Sequence, residues 1–226
     1  MSISTMPPQS FVNGGGGLYI ITGGMKAQKS AKFIQLLDKL HHNGISWQGF
    51  KPACDYREEL NYKNNIPRNY FVSRTGPNLP AEEIDDKGDL SDLIGKIDHS
   101  CDVFAFGEFH LYKEAEKLKD IILELRYEGK KTCIVDSLDK YFNGENIPTI
   151  AQLMGQATDI EKTYGTCDFD GCKNLGELSQ RLVNGEPANY DDPPIVVGAS
   201  EAYQIRCFGH HIVPGKPEKR ILLPSQ

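Results

Sequence analysis

Basic charge is in short supply. Lys and Arg number 25 against 31 Asp and Glu, a net charge of −6 over 226 residues. A general nucleic-acid or anionic-membrane binder needs a basic face, so neither nucleic acid nor membrane is an expected partner. Long apolar runs are missing as well, none approaching the ~20 residues that cross a bilayer. Residues 1–17 have no basic segment followed by an apolar one, so no signal peptide is expected. The six cysteines are scattered, without disulfide-rich spacing. Reduced thiols, or a metal site, in a cytoplasmic compartment is the expectation.

What is present begins at residue 18. Residues 18–21 are apolar and read as a strand, followed by a glycine-bearing turn and a helix marked by Phe33, Ile34, Leu36 and Leu37. The turn is Gly23-Gly24-Met25-Lys26-Ala27-Gln28-Lys29-Ser30. This is the phosphate-loop pattern G-x-x-x-x-G-K-[ST], with Gln28 at the second glycine. Successive backbone N–H groups and a helix N-terminus would face phosphate oxygens. Lys29 would bridge the outer phosphates, and the Ser30 hydroxyl would bind Mg²⁺. Gln28 adds a Cβ where glycine allows unusual dihedrals, so a reshaped loop is expected there. A plain tight turn between strand and helix is the competing reading.

Further strands are expected at 45–50, 70–73, 103–106 and 132–135, with helices at 81–98, 111–128 and 150–157. That order predicts an α/β fold with a mostly parallel sheet and helices on both faces. Asp55 and Arg57 follow the second strand at its C-terminal end, the edge where open α/β sheets bind ligands. An incidental charge pair on a solvated loop is the alternative. Residues 103–106 run into Gly107-Glu108. An acid usually placed there to hold Mg²⁺ is replaced by Gly107, and Glu108 remains to accept a proton. Asp55 and Asp102 are the acids that suggest themselves as replacements.

The last third of the chain is poorer in core residues. It carries Cys167-x4-Cys172 and Cys207-x2-His210, with His211 adjacent. Two short-spaced pairs of soft ligands suit tetrahedral Zn²⁺, which can substitute for a hydrophobic core. Three reduced cysteines beside a surface histidine pair would be the alternative. His210 fits the spacing better than His211. The expected organisation is therefore a flexible leader at 1–17, a nucleotide-binding domain at 18–157 and a zinc-binding domain with a tail at 158–226.

Taken together, these motifs resemble the type II thymidine kinases, P-loop enzymes with a zinc-bearing lasso domain. The family's K-x-x-x-D-x-R is similar to Lys51 through Asp55 to Arg57. Its D-E-x-Q-F is similar to Gly107-Glu108-Phe109-His110-Leu111, and its L-D-x-x-F to Leu138 through Phe142. Its lasso end matches Gly198 through Tyr203 to Cys207. The resemblance implies a RecA-like sheet and transfer of the ATP γ-phosphate to the 5′-hydroxyl of thymidine or a related deoxynucleoside. It implies Glu108 as general base, Arg57 near the phosphates and Asp55 close to the metal. Met25, Leu138 and Phe142 would wall the base, beneath a lasso at about 190–206 ordered by Tyr203. ATP, Mg²⁺ and Zn²⁺ are the implied cofactors, and a homotetramer the implied assembly. Gln28 and Gly107 both fall on the ATP–Mg²⁺ side. They motivate a second expectation, a catalytically weak or inactive relative that binds nucleosides or nucleotides.

Overall fold

A computed structural model describes residues 2–12, 15–56, 65–73, 77–85, 90–196 and 203–218. Arg57, residues 74–76 and Gly198 lie outside them. The strands are β1 (Leu18–Gly23), β2 (Trp47–Pro52), β3 (Tyr70–Phe71), β4 (Leu79–Pro80), β5 (Glu82–Ile84), β6 (Val103–Phe106), β7 (Thr132–Ser137) and β8 (Asp159–Thr163). The helices are α1 (Lys29–His42), α2 (Ser91–Lys96), α3 (Ala115–Tyr127) and α4 (Pro148–Gln156). Six strands form one sheet in the order β5-β2-β6-β7-β1-β8. Every pairing in it is parallel. All six C-terminal ends therefore share one edge, and the phosphate-loop segment, Glu108 and residues 138–142 all leave the sheet there.

Both faces of this sheet are covered, so its strands β6, β7 and β1 are buried throughout rather than alternating. Val103–Phe106 is wholly buried. On one face, Tyr19, Ile21, Val103, Ala105 and Ile134 pack under Phe33, Ile34, Leu37 and Leu40 of α1. The opposite face seats Phe104, Phe106 and Val135 against Leu118 and Ile122 of α3 and Ile150 and Leu153 of α4. Burying each such side chain contributes about 1.5–3 kcal/mol. Strand residues alternate between the two cores, which fixes the face of every side chain at the active edge.

Several expectations need correction. Residues 81–98 are not one helix. Ile84 is fully buried in β5, an edge strand paired with β2, and among the described residues of this segment the helix is Ser91–Lys96. Edge pairing outweighs local helical spacing here. The helix expected from 111 starts at Ala115, because Glu108 has left-handed dihedrals (φ 48°, ψ 45°) and Phe109–Leu111 forms a single 3₁₀ turn. The leader is no free tail over residues 2–12. Ile3 and Phe11 are buried among the α1-side core residues, and Lys39 Nζ donates to the Met6 carbonyl at 2.7 Å. The domain boundary also moves: β8 pairs with β1, so the sheet extends past residue 157.

Beyond β8 lies a small module of short antiparallel strands. They are β9 (Gly165–Thr166), β10 (Leu175–Gly176), β11 (Leu178–Val183), β12 (Glu186–Pro187) and β13 (Tyr203–Arg206). Asn184-Gly185 makes a two-residue turn between β11 and β12, both residues with positive φ. That pair is a strong hairpin signal in sequence.

Candidate active site

The phosphate-loop segment sits between β1 and α1. Gly23 closes β1 at φ 148°, and a Cβ there would lie 2.4 Å from the Thr163 carbonyl oxygen, so no other residue fits. Gln28 takes φ 64° and ψ 19°, the left-handed pair a glycine would adopt, with its side chain turned to solvent. The turn is therefore kept despite the substitution, at the cost of backbone strain. Gln28→Gly should raise stability by about 0.5–1 kcal/mol, the relieved strain less the added freedom of the unfolded chain. A denaturation midpoint that falls in this variant would contradict the strained dihedral.

Lys29, 5% exposed, folds back so that Nζ donates to the Gly24 carbonyl at 3.2 Å. Ser30 Oγ donates to Glu108 Oε1 at 3.0 Å. The two ends of the expected chemistry, separated by 78 residues, thus meet at the sheet edge. His110 stands behind the carboxylate. Its Nδ1 accepts the Leu138 N–H at 3.3 Å and lies 3.8 Å from Glu108 Oε2. Because Nδ1 accepts that bond, it carries no proton in this arrangement. His110 therefore fixes the start of the L-D-x-x-F segment and stands beside the general-base candidate, a placement its sequence position did not reveal.

Asp55 lies in the turn after β2, where its carboxylate meets the buried Lys51 Nζ at 3.6 Å. Lys51 Nζ also donates to the Tyr70 carbonyl at 3.1 Å. Asp102 is no replacement acid at this edge. It precedes β6 at the opposite end of the sheet and accepts the Ser46 hydroxyl at 2.8 Å. The space beside Gly107 is filled by Phe71. A Cβ on Gly107 would lie 2.7 Å from that ring, which also packs edge-on against Phe33 of α1 at 5.1 Å. Gly107→Asp should thus destabilise the fold by about 1–3 kcal/mol. Urea denaturation measures this, and unchanged stability would show the ring free to move.

Met25, Phe142, Ala188 and Tyr203 form one apolar cluster. Leu138 packs in the neighbouring core, which Met25 also touches. Leu138 and Phe142, expected to wall a base with Met25, and Tyr203, expected to order the lasso, therefore gather around Met25. Sequence reasoning missed what ties them. The Met25 N–H donates to Ser179 Oγ of β11 at 2.9 Å. The Arg181 guanidinium lies 5.4 Å over the Phe142 ring. His211 Nε2 bonds the Phe142 carbonyl at 2.8 Å. The Tyr203 phenol is raised in pKa by burial while meeting the backbone of Val196, so it reaches the strap that follows β12. Asp139, next to Leu138, is buried, yet Lys162 at 2.9 Å and Lys140 more than offset that burial and hold its carboxyl below the usual range.

The metal candidates converge. Cys167, Cys172, Cys207 and His210 place their ligand atoms within 4.8 Å of one another. Cys167 Sγ to His210 Nδ1 is 3.7 Å, Cys207 Sγ to His210 Nδ1 3.4 Å, and Cys172 Sγ to Cys207 Sγ 4.0 Å. A tetrahedron with Zn–S and Zn–N bonds of about 2.0–2.3 Å has edges of ~3.5–3.8 Å, so the donor set fits zinc. His210 is the histidine in this cluster, and its ring stacks on Phe169 at 4.0 Å. Burial opposes a charge on Cys167, but the backbone N–H groups of Cys207 and Phe169 and the His210 side chain outweigh it, lowering the thiol to about 6. That favours thiolate, the form that binds metal. Lys26 of the phosphate loop meets Asp168, beside Cys167, at 3.8 Å, so the module borders the loop.

A parallel sheet with a phosphate-type loop on one strand and a glutamate bonded to that loop's serine on another, next to a Cys₃His cluster, fits a P-loop phosphotransferase. The thymidine kinase family model matches residues 16–211. The chain belongs to the thymidine kinase family. It is 31% identical over 204 residues to a thymidine kinase of Ureaplasma urealyticum serovar 10, covering 89% of this chain and 85% of that protein. A thymidine kinase of Coprothermobacter proteolyticus is 32% identical over 201 residues, covering 89% and 93%. The chain is thus a thymidine kinase-like enzyme. Among solved structures, the flagellar accessory protein FlaH of Methanocaldococcus jannaschii aligns over 74% of this chain and 79% of its own at 16% identity and a TM-score of 0.45, a likeness on which nothing further rests.

Proposed function

We propose that this enzyme moves the γ-phosphate of ATP to the 5′-hydroxyl of thymidine or a closely related deoxynucleoside. The observation that carries this reading is the 3.0 Å bond from Ser30 to Glu108, with Lys29 beside it. Phosphoryl transfer asks the protein mainly to position reactants and neutralise charge. The loop N–H groups and Lys29 would hold the phosphates, Lys29 exchanging its Gly24 carbonyl for phosphate oxygens. Glu108 would accept the 5′-hydroxyl proton, its carboxylate held by the Ser30 hydroxyl. Met25, Leu138, Phe142 and Tyr203 would enclose the base.

Mg²⁺ suits the oxygen donors at this edge, where Ser30 would hold it, and bound there it would neutralise charge on the transferred group. Zn²⁺ suits Cys167, Cys172, Cys207 and His210 and would pin the strap that covers the base. Arg57 and Asp55 belong to the same proposal as phosphate-side residues. A cytoplasmic location and a homo-oligomer, a tetramer in the family, complete it, with no nucleic acid or membrane among the partners. No disulfide joins any of the six cysteines, and no described helix is long and apolar enough to cross a membrane.

The binding-only alternative leaned on Gln28 and Gly107. Gln28 keeps the dihedrals of the loop, which removes half of that motive. Purified protein given Mg·ATP and thymidine should produce thymidine monophosphate and ADP in equal amounts. Thymidine binding without any product would favour the alternative.

A further inference from the structure

The end of β6 has no carboxylate at Gly107, and Phe71 fills the space that a side chain there would need. The adjacent strand, however, carries an acid at the same rung. In the parallel β6–β7 ladder, Phe106 is opposite Val135, which brings Gly107 level with Asp136. Ala105 and Ile134, one pair earlier, both belong to the core under α1. By strand alternation, Gly107 and Asp136 face the same way, toward the α1 side. On its other flank Asp136 pairs with Ile21 of β1, two residues before Gly23. The Asp136 carboxylate is 1% exposed. It thus lies about 4.8 Å sideways from the Gly107 position, one strand nearer the phosphate loop.

A carboxylate so deep in a sheet edge is costly unless something holds its charge. Buried acids are held by hydrogen bonds or opposite charges, and some serve a cation as well. The Ser30 hydroxyl, the Glu108 carboxylate bonded to it and the buried Lys29 belong to the same C-terminal edge of the sheet. We propose that Asp136 is the metal-holding carboxylate of this enzyme, transposed from the end of β6 to the neighbouring strand. It acts on the Mg²⁺ of the bound nucleotide together with Ser30, directly or through a metal-bound water. The inference rests on the proposed kinase reading, and it explains how the chain retains an ATP–Mg²⁺ site although Gly107 has no side chain. It also explains why an apolar ring can occupy the old position: Phe71 packs over Gly49 and Gly107, and no charged group is needed beneath it.

The test is the magnesium dependence of ADP affinity, read with a fluorescent ADP in excess Mg²⁺ and in EDTA. In the unaltered enzyme, Mg²⁺ should tighten binding. In Asp136→Asn, most of that tightening should vanish, a loss of about 10–100-fold, with affinity in EDTA unchanged. Asp102→Asn, at the far end of the sheet, should behave as the unaltered enzyme. Equal tightening in Asp136→Asn would overturn the assignment while leaving the kinase reading intact. No ADP affinity in the unaltered enzyme under either condition would overturn both. A measurement on the unaltered chain covers the case of a variant that fails to fold. With aspartate carboxyl carbons labelled, Mn·ADP should broaden the Asp136 resonance away before that of Asp102. If the two fade together, Asp136 does not touch the metal's surroundings.

Discussion

Glu108→Gln is expected to lower kcat for thymidine phosphorylation by about 10²–10⁴-fold, the range typical of a lost general base. KM for ATP and thymidine should change little. The substitution is chosen for what it keeps. Glutamine still offers an oxygen to the Ser30 hydroxyl, so the 3.0 Å bond between loop and β6 edge can persist. It also keeps the left-handed backbone at 108 no more strained than before. What disappears is basicity alone. If the activity were instead limited by loop geometry, the variant would remain within tenfold of the unaltered enzyme. His110→Ala removes the acceptor of the Leu138 N–H beside Glu108 and is expected to fall between these limits.

The second large effect concerns the Cys₃His module. Cys207→Ser should lose about one equivalent of zinc per chain, measured by elemental analysis after gel filtration. The apparent binding free energy at stake in such sites is about 10–16 kcal/mol, far more than the module's few apolar contacts supply. Its loss should therefore unfold the strands around it rather than loosen them. Cys207 follows β13 directly, and Tyr203 and Ser179 reach from this module to the Phe142–Ala188 cluster and to Met25. The KM for thymidine should consequently rise at least ~10-fold if ordering that strap costs as little as 1.4 kcal/mol more. An unchanged zinc content would remove the site as assigned.

Local signals carried the first part of the molecule into view. The apolar run at 18–21, the Gly-bearing turn and the helical spacing of Phe33, Ile34 and Leu37 all lie within twenty residues, where periodicity speaks directly. The cysteine and histidine spacing did the same for the metal cluster. Spacing favours His210 over His211, and the tertiary contacts agree, since His211 bonds the Phe142 carbonyl, 69 residues away in sequence. What stayed hidden depends on register between strands. Asp136 reads as an ordinary residue leaving a strand until β6 and β7 are aligned and its level with Gly107 appears. Phe71 gives no hint that it will occupy the space over Gly107. The leader misled because prolines and glycines outnumber the two residues, Ile3 and Phe11, that anchor it. Asn184-Gly185 was a legible turn signal that went unused.

The claim on which everything depends is that Lys29, Ser30 and Glu108 form one site with the cluster around Met25. A crystal structure with thymidine and a non-hydrolysable Mg·ATP analogue tests it most directly. The account predicts the thymidine 5′-oxygen within about 2.6–3.2 Å of the Glu108 carboxylate, the terminal phosphates on Lys29 and the base against Phe142. A nucleoside bound elsewhere, or a 5′-oxygen turned away from Glu108 while the phosphates occupy the loop, would contradict it.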